Sequence, residues 1–152
     1  MKLRVIWIGK TKDPNLAKMA TDFASRIHHF LPVEIVEAKE PKGDGARRIE
    51  AEGEKILASL DSSDRVVALD PKGKPWASEQ FASFLQKHMT EDPRRLTFVL
   101  GGFGGLSESV KQRADVQWSL SPLTFTHDLT RVILLEQIYR ALSIIHNFPY
   151  SK

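Results

Sequence analysis

The chemistry-bearing residue types of this chain gather between positions 100 and 150. Gly101-Gly102-Phe103-Gly104-Gly105 follows an apolar run and precedes Ser107, a good helix cap. Glycines there let the backbone approach a ligand closely or adopt positive φ, and a helix N-terminus adds donors for an anion. The spacing matches neither a P-loop nor GxGxxG, so the run fits a ligand cradle or a tight turn. Leu120-Ser121-Pro122-Leu123-Thr124-Phe125 combines hydroxyls, a rigid proline and large apolar groups. Such a segment suits a purine, sandwiched by apolar side chains and read by backbone groups, or it is a buried strand-to-helix connection. Glu136 and Arg140 lie four apart and share a helix face, either as a functional polar seam or as a plain ion pair. His127 stands at the entrance of the same helix, as a base or as a capping group.

The elements that must position these residues follow from periodicity. Leu3–Ile8, Val33–Glu37, Arg65–Leu69, Leu96–Leu100 and Val116–Leu120 read as strands. Helical spacing follows the Asp13-Pro14 start signal, covers Ala46–Leu60, and resumes after Ser78, which is placed to cap a helix burying Phe81 and Leu85. A short helix follows Ser107, and the last helix runs Leu129–His146. Pro41–Gly45 and Pro71–Pro75 read as a loop and a turn. Strands alternating with helices imply an α/β fold, a mostly parallel sheet with helices on both faces. Ligands of such sheets bind at the carboxyl ends of the strands. That directs attention to the loops opening at Leu69, Gly101 and Leu120, whereas the first strand–helix junction carries no fingerprint. The last helix is apolar around most of its circumference, through Leu129, Val132, Ile133, Leu134, Leu135, Ile138, Leu142 and Ile145. Its own sheet and a second subunit are expected to cover it.

Composition sets outer bounds. With 152 residues, 41% hydrophobic and 27% charged, the chain suits one domain with a sizeable core. No apolar run approaches the ~20 residues that span a bilayer, and the N-terminus reads as a strand. Cysteine is absent, which excludes disulfides and thiolate chemistry and accords with a cytoplasmic location. No metal-ligand spacing appears, so no metal is expected. A net charge of +3 permits an RNA partner without the footprint of a dedicated nucleic-acid binder. Basic residues cluster at Lys10 and Lys12, at Lys39, Lys42, Arg47 and Arg48, at Lys72 and Lys74, and at Arg94 and Arg95.

Taken together, MKLRVIWIGK, VVALDPKGKPWASEQFA, LGGFGGLSES, WSLSPLTFTHDLTRVILLEQIYRA and the terminal NFPY resemble one family along essentially the whole chain. It is the RlmH family, the SPOUT-class methyltransferases acting on N3 of a pseudouridine in 23S ribosomal RNA. The resemblance implies a single SPOUT domain over 1–152 with a C-terminal trefoil knot, S-adenosyl-L-methionine as cofactor, a homodimer, and 23S rRNA within assembled ribosomes as substrate. By matching positions it places Leu69, Gly101, Leu120, Ser121, Pro122, Leu123, Thr124 and Phe125 around the cofactor. It places His127, Arg131, Arg140 and Tyr150 near the substrate, with Arg140, His127 and Tyr150 as catalytic candidates. A β-branched residue at Gly101 would then occupy ligand space and leave the fold intact. Two departures stand out: Thr126 where relatives commonly carry proline, and Ser151 where they commonly end in histidine. No C-terminal histidine base is therefore expected. Two alternatives are a noncatalytic nucleotide-binding α/β module and a SPOUT enzyme acting on transfer RNA.

Overall fold

The computed structural model describes residues 1–150. Ten elements alternate along the chain: β1 (Leu3–Ile8), α1 (Pro14–His28), β2 (Val33–Ala38), α2 (Gly45–Ala58), β3 (Arg65–Lys74), α3 (Ser78–Glu91), β4 (Leu96–Val99), α4 (Glu108–Arg113), β5 (Val116–Trp118) and α5 (His127–Ile145). The five strands form one sheet in the order β2-β1-β4-β3-β5, and every pairing is parallel. Parallel strands need crossover helices, which cover both faces. Alternate strand residues divide the core accordingly. Leu3, Val5, Trp7, Val67 and Phe98 pack toward α1, α3 and α5. Ile6, Ile8, Val66, Ala68 and Val99 pack toward α2 and α4.

Caps set several boundaries. The Asp13 carboxylate accepts from the Asn15 and Leu16 amides and starts α1. Ser107 caps α4 through the Val110 amide, and Thr126 caps α5 through the Leu129 amide. Ser78 does not cap α3. Ala77 holds that position, its amide satisfied by the Gln80 side-chain carbonyl at 2.7 Å, and the Ser78 hydroxyl donates instead to Gln137 on α5 at 2.9 Å.

The expected turn at Pro71–Pro75 is an excursion of β3. Leu69 and Lys74 both pair with Trp118, so the residues between them bow out of the ladder and return. The Ser119 amide donates to the Lys74 carbonyl at 2.9 Å. A Cβ at Gly73 would lie 2.5 Å from the Gln117 carbonyl carbon, so only glycine lets the returning backbone run this close to β5. This partner is distant in sequence, which is why local turn signals misplace the end of β3.

Helix α5 lies between α1 and α3 on one face of the sheet. Val132, Leu134, Leu135, Ile138 and Leu142 are buried within this chain alone. Ile138 is 0% exposed, so it is a core residue and not an interface residue. What remains open along α5 is a narrower stripe, with Leu129 and Ile144 exposed and Ile133, Gln137 and Arg140 half-buried. Among the described residues no helix is long and apolar enough to cross a membrane.

Candidate functional site

A cavity of about 530 Å³ opens at the carboxyl ends of β3, β4 and β5. That volume lies in the range of small-molecule sites. β3 contributes Leu69–Pro71 from the start of its excursion, and β4 and β5 contribute the segments that follow them, residues 100–105 and 120–127. Seven of the eight residues expected around a cofactor line it: Leu69, Gly101, Leu120, Ser121, Leu123, Thr124 and Phe125. Pro122 does not. It stiffens a turn in which the Leu123 amide donates to the Ser121 hydroxyl at 3.0 Å. Gly102, Phe103 and Gly105 of the expected glycine cradle also line the cavity, as do Asp70, Pro71, Leu100, Thr126 and Thr130, which the sequence did not single out for a cofactor. The position of Asp70 directly after Leu69 at a strand end was the available signal.

The glycine segment is a tight turn and a cavity wall at once. The Gly105 amide donates to the Gly102 carbonyl at 3.1 Å, and Gly105 has φ +86°. A Cβ at Gly101 would lie 2.5 Å from the Gly105 carbonyl group and 2.9 Å from the Leu106 amide nitrogen. Gly101 is therefore required by its own loop, and a larger residue there would disturb the turn, contrary to the expectation that it would leave the fold intact. Behind Gly102 stands the Glu52 carboxylate, which would lie 2.5 Å from a Cβ at that position. Glu52 is buried; one oxygen accepts from Arg48 Nε at 3.1 Å and the other has no partner. At the rim, Phe103 is 95% and Leu123 70% exposed, two large apolar groups flanking the mouth.

The polar seam forms a second site further along α5. One oxygen of Glu136 accepts from Arg140 at 2.6 Å and from the Tyr150 hydroxyl at 2.8 Å; the other accepts from Gln137 at 2.7 Å. The Arg140 guanidinium lies over the Tyr150 ring, 5.0 Å from its centroid. Burial, then the hydrogen bond to Glu136, pushes the Tyr150 phenol above its ordinary range, so it is a neutral donor near pH 7. Arg140 and Tyr150 line a cavity of about 480 Å³ with Ser78, Gln137, Ile144 and Phe148. Glu136 is the one bond partner of Arg140 among the described residues, which leaves guanidinium donors free toward that space.

The catalytic candidates thus divide. Arg140 and Tyr150 come together, but His127 lines the first cavity. At 1.5 Å per residue, His127 and Arg140 lie about 20 Å apart along α5. Arg131 takes a structural part. It is 1% exposed and donates to the Ile8 carbonyl at 2.5 Å, the Gly9 carbonyl at 3.1 Å and the Thr11 hydroxyl at 3.0 Å. Asp128 accepts from the Lys12 and Asp13 amides, both at 3.0 Å. Together they clamp the β1–α1 loop to α5, so Arg131 is buried in a structural contact and not presented to a substrate. Ser151 lies outside the described residues. Among the described residues no group of three or more His, Asp or Glu side chains is arranged to hold a metal.

Known proteins resemble the chain over its whole length. The family model "Predicted SPOUT methyltransferase" matches residues 1–151. A "Ribosomal RNA large subunit methyltransferase H" of Trichlorobacter lovleyi is 44% identical over 154 residues, covering 99% of both chains. The protein of that name in Syntrophotalea carbinolica is 41% identical over 153 residues, covering 99% of this chain and 98% of its own. Among solved structures, a probable methyltransferase from Bordetella pertussis Tohama I superposes with a TM-score of 0.59, covering 93% of both chains at 13% identity, a likeness of fold alone.

Proposed function

The chain belongs to the SPOUT methyltransferases, in the family of the ribosomal RNA large subunit methyltransferases H, and from that premise we propose that it methylates N3 of a pseudouridine in 23S rRNA, on assembled ribosomes in the cytoplasm, as a homodimer. One observation carries the reading. Three of the five segments that bear the full-length likeness, scattered in sequence, line a single cavity at the strand ends. The cavity also suits S-adenosyl-L-methionine: Leu69, Leu120, Leu123 and Phe125 offer apolar surface for an adenine, the glycine segment offers backbone, and Asp70 a carboxylate. When bound, the cofactor supplies a methyl group on a sulfonium, already activated for transfer.

The chain's own residues then have two tasks, alignment and charge. Alignment of the reacting atoms is worth several kcal/mol. N3 must lose its proton, and negative charge gathers on N3 and its flanking carbonyl oxygens. Arg140, held by Glu136 and stacked on Tyr150, stabilises that charge. Tyr150 stays protonated and orients Glu136. His127, at the cofactor cavity, is the candidate to accept the proton. With about 20 Å between the two halves in one chain, they meet across a two-fold axis, along the open stripe of α5. Membership in the SPOUT family supports the further reading that the C-terminal part threads a trefoil knot.

Mass spectrometry of large-subunit rRNA nucleosides, from cells with and without the gene, tests this. A methylated pseudouridine lost on deletion and restored by the purified protein with S-adenosyl-L-methionine is the expected result. Identical nucleoside profiles would overturn it.

A further inference from the structure

The proposed chemistry leaves the basic clusters unused, and the topology sorts them. Arg94 and Arg95 precede β4, at the amino edge of the sheet, and both are committed. Arg94 binds Asp92 at 2.7 Å, and Arg95 binds Asp64 at 2.8 Å and Asp61 at 3.0 Å. Lys10 and Lys12 follow β1, and Lys39, Lys42, Arg47 and Arg48 follow β2 into α2. These stand at the carboxyl edge, the edge that holds the cofactor cavity. Within that group Arg48 is held by Glu40 and Glu52, and Lys12 by Glu40. Lys10, Lys39, Lys42 and Arg47 are exposed and make no ion pair among the described residues.

The neighbouring carboxylates are largely occupied. Asp13 caps α1, Glu37 accepts from the Trp7 indole at 3.1 Å, and Asp128 binds the Lys12 and Asp13 amides. Asp44, at the start of α2, and Glu50, three residues after Arg47, make no side-chain bond among the described residues. The cations are also held out by a shaped loop: Gly43 and Gly45 adopt φ +104° and +57°, a conformation that turns the chain sharply between Lys42 and Arg47. In the order β2-β1-β4-β3-β5 the patch sits over β2 and β1, directly beside the cavity over β4, β3 and β5. At 4.7–4.9 Å per strand, its centre is roughly 10–15 Å from the cavity.

We propose that this surface, with Lys10, Lys39, Lys42 and Arg47, docks the RNA phosphates that flank the methylated nucleotide. The assignment rests on the functional reading above and adds to it the part of the molecule that grips the substrate. Four exposed cations without ion pairs on one edge present local points of attraction to the phosphates of a polyanion. Contacts of this kind position RNA without reading its sequence, which suits a target recognised by the shape of the ribosome.

The test compares wild type with a variant carrying Lys10→Gln, Lys39→Gln, Lys42→Gln and Arg47→Gln. Lys55→Gln with Lys87→Gln, near the ends of α2 and α3 at the opposite edge, is the control. Binding to purified large ribosomal subunits lacking the modification is measured across a salt series. Calorimetry with S-adenosyl-L-methionine and thermal melts accompany it, with single-turnover methyl transfer by wild type. The quadruple variant is expected to keep its fold and cofactor affinity, to bind subunits at least tenfold more weakly, and to lose about one unit of salt slope per phosphate contact removed. The control should match wild type. A folded, cofactor-binding quadruple variant with wild-type affinity and salt slope overturns this assignment alone. Failure of wild type to transfer methyl to the subunits overturns the functional reading instead.

Discussion

Arg140 is where a functional seam and a plain ion pair forecast different things. If it stabilises charge on the reacting base, Arg140→Ala should lower single-turnover methyl transfer at least tenfold, about 1.4 kcal/mol, with cofactor affinity little changed. If Arg140 only braces α5, Arg140→Ala and Glu136→Ala should lose similar small amounts of stability and turnover should survive; full activity in a folded Arg140→Ala protein removes it from the site. Tyr150 gives a finer comparison. Tyr150→Phe deletes the donor to Glu136 but keeps the ring under Arg140, so its loss of turnover should be the smaller one. Glu52 belongs to the same scale. Its carboxylate sits behind Gly102 with one unpartnered oxygen. Glu52→Gln, which keeps the shape and removes the charge, should therefore raise the Kd for S-adenosyl-L-methionine. Calorimetry showing an unchanged Kd would confine Glu52 to holding Arg48.

The elements hold these side chains by contacts remote in sequence, and each can be stressed separately. Gly101→Val should lower both cofactor affinity and Tm, because its Cβ meets the Gly105 carbonyl before any ligand is present. A variant that melts like wild type and still loses the ligand would restore the simpler picture of a blocked pocket. The end of α3 carries a pH dependence. His88 is buried, receives a hydrogen bond from Arg65 at 3.2 Å and donates to the Arg94 carbonyl at 2.9 Å. Burial pushes its imidazole below the ordinary 6.5, against the raising influence of that backbone bond and of Asp92. Its contribution to stability is therefore complete above pH 6.5 and is lost as pH falls from there through the lower folded value. Urea titrations of wild type and His88→Gln should diverge in slope with pH below about 6.5 and run parallel above it. Parallel behaviour throughout would show that His88 titrates in the fold as it does unfolded.

At the scale of the whole molecule, the proposed dimer and the core make separable demands on α5. Ile138 is 0% exposed in the single chain, so Ile138→Asp buries an unpaired carboxylate at a cost of several kcal/mol and should unfold the protein. Ile144 is 41% exposed and lines the second cavity. Ile144→Asp should leave the melting transition largely in place and shift sedimentation from dimer to monomer, with methyl transfer lost in step. A wild type that sediments as a monomer at micromolar concentration would reject the dimer and leave His127 and Arg140 without a route to one substrate.

Sequence alone determined what depends on neighbours along the chain. Strand alternation, helical spacing and the caps at Asp13 and Ser107 gave the order of elements, and alternation of strand and helix gave the parallel sheet. That sheet in turn placed the cavity at the loops after the third, fourth and fifth strands, and the five quoted segments gave the family. What the tertiary structure decided concerns partners far apart in sequence. Trp118 reclaims Lys74 and turns an expected loop into a bowed strand. The carbonyls at Ile8 and Gly9 take up Arg131, and α1 and α3 cover Ile138. The strand order brings Lys10 and Lys39 beside the cavity while carrying Arg94 and Arg95 to the far edge. A residue's type limits the bonds it can make, but which bonds it makes depends on groups that only folding brings within about 3 Å.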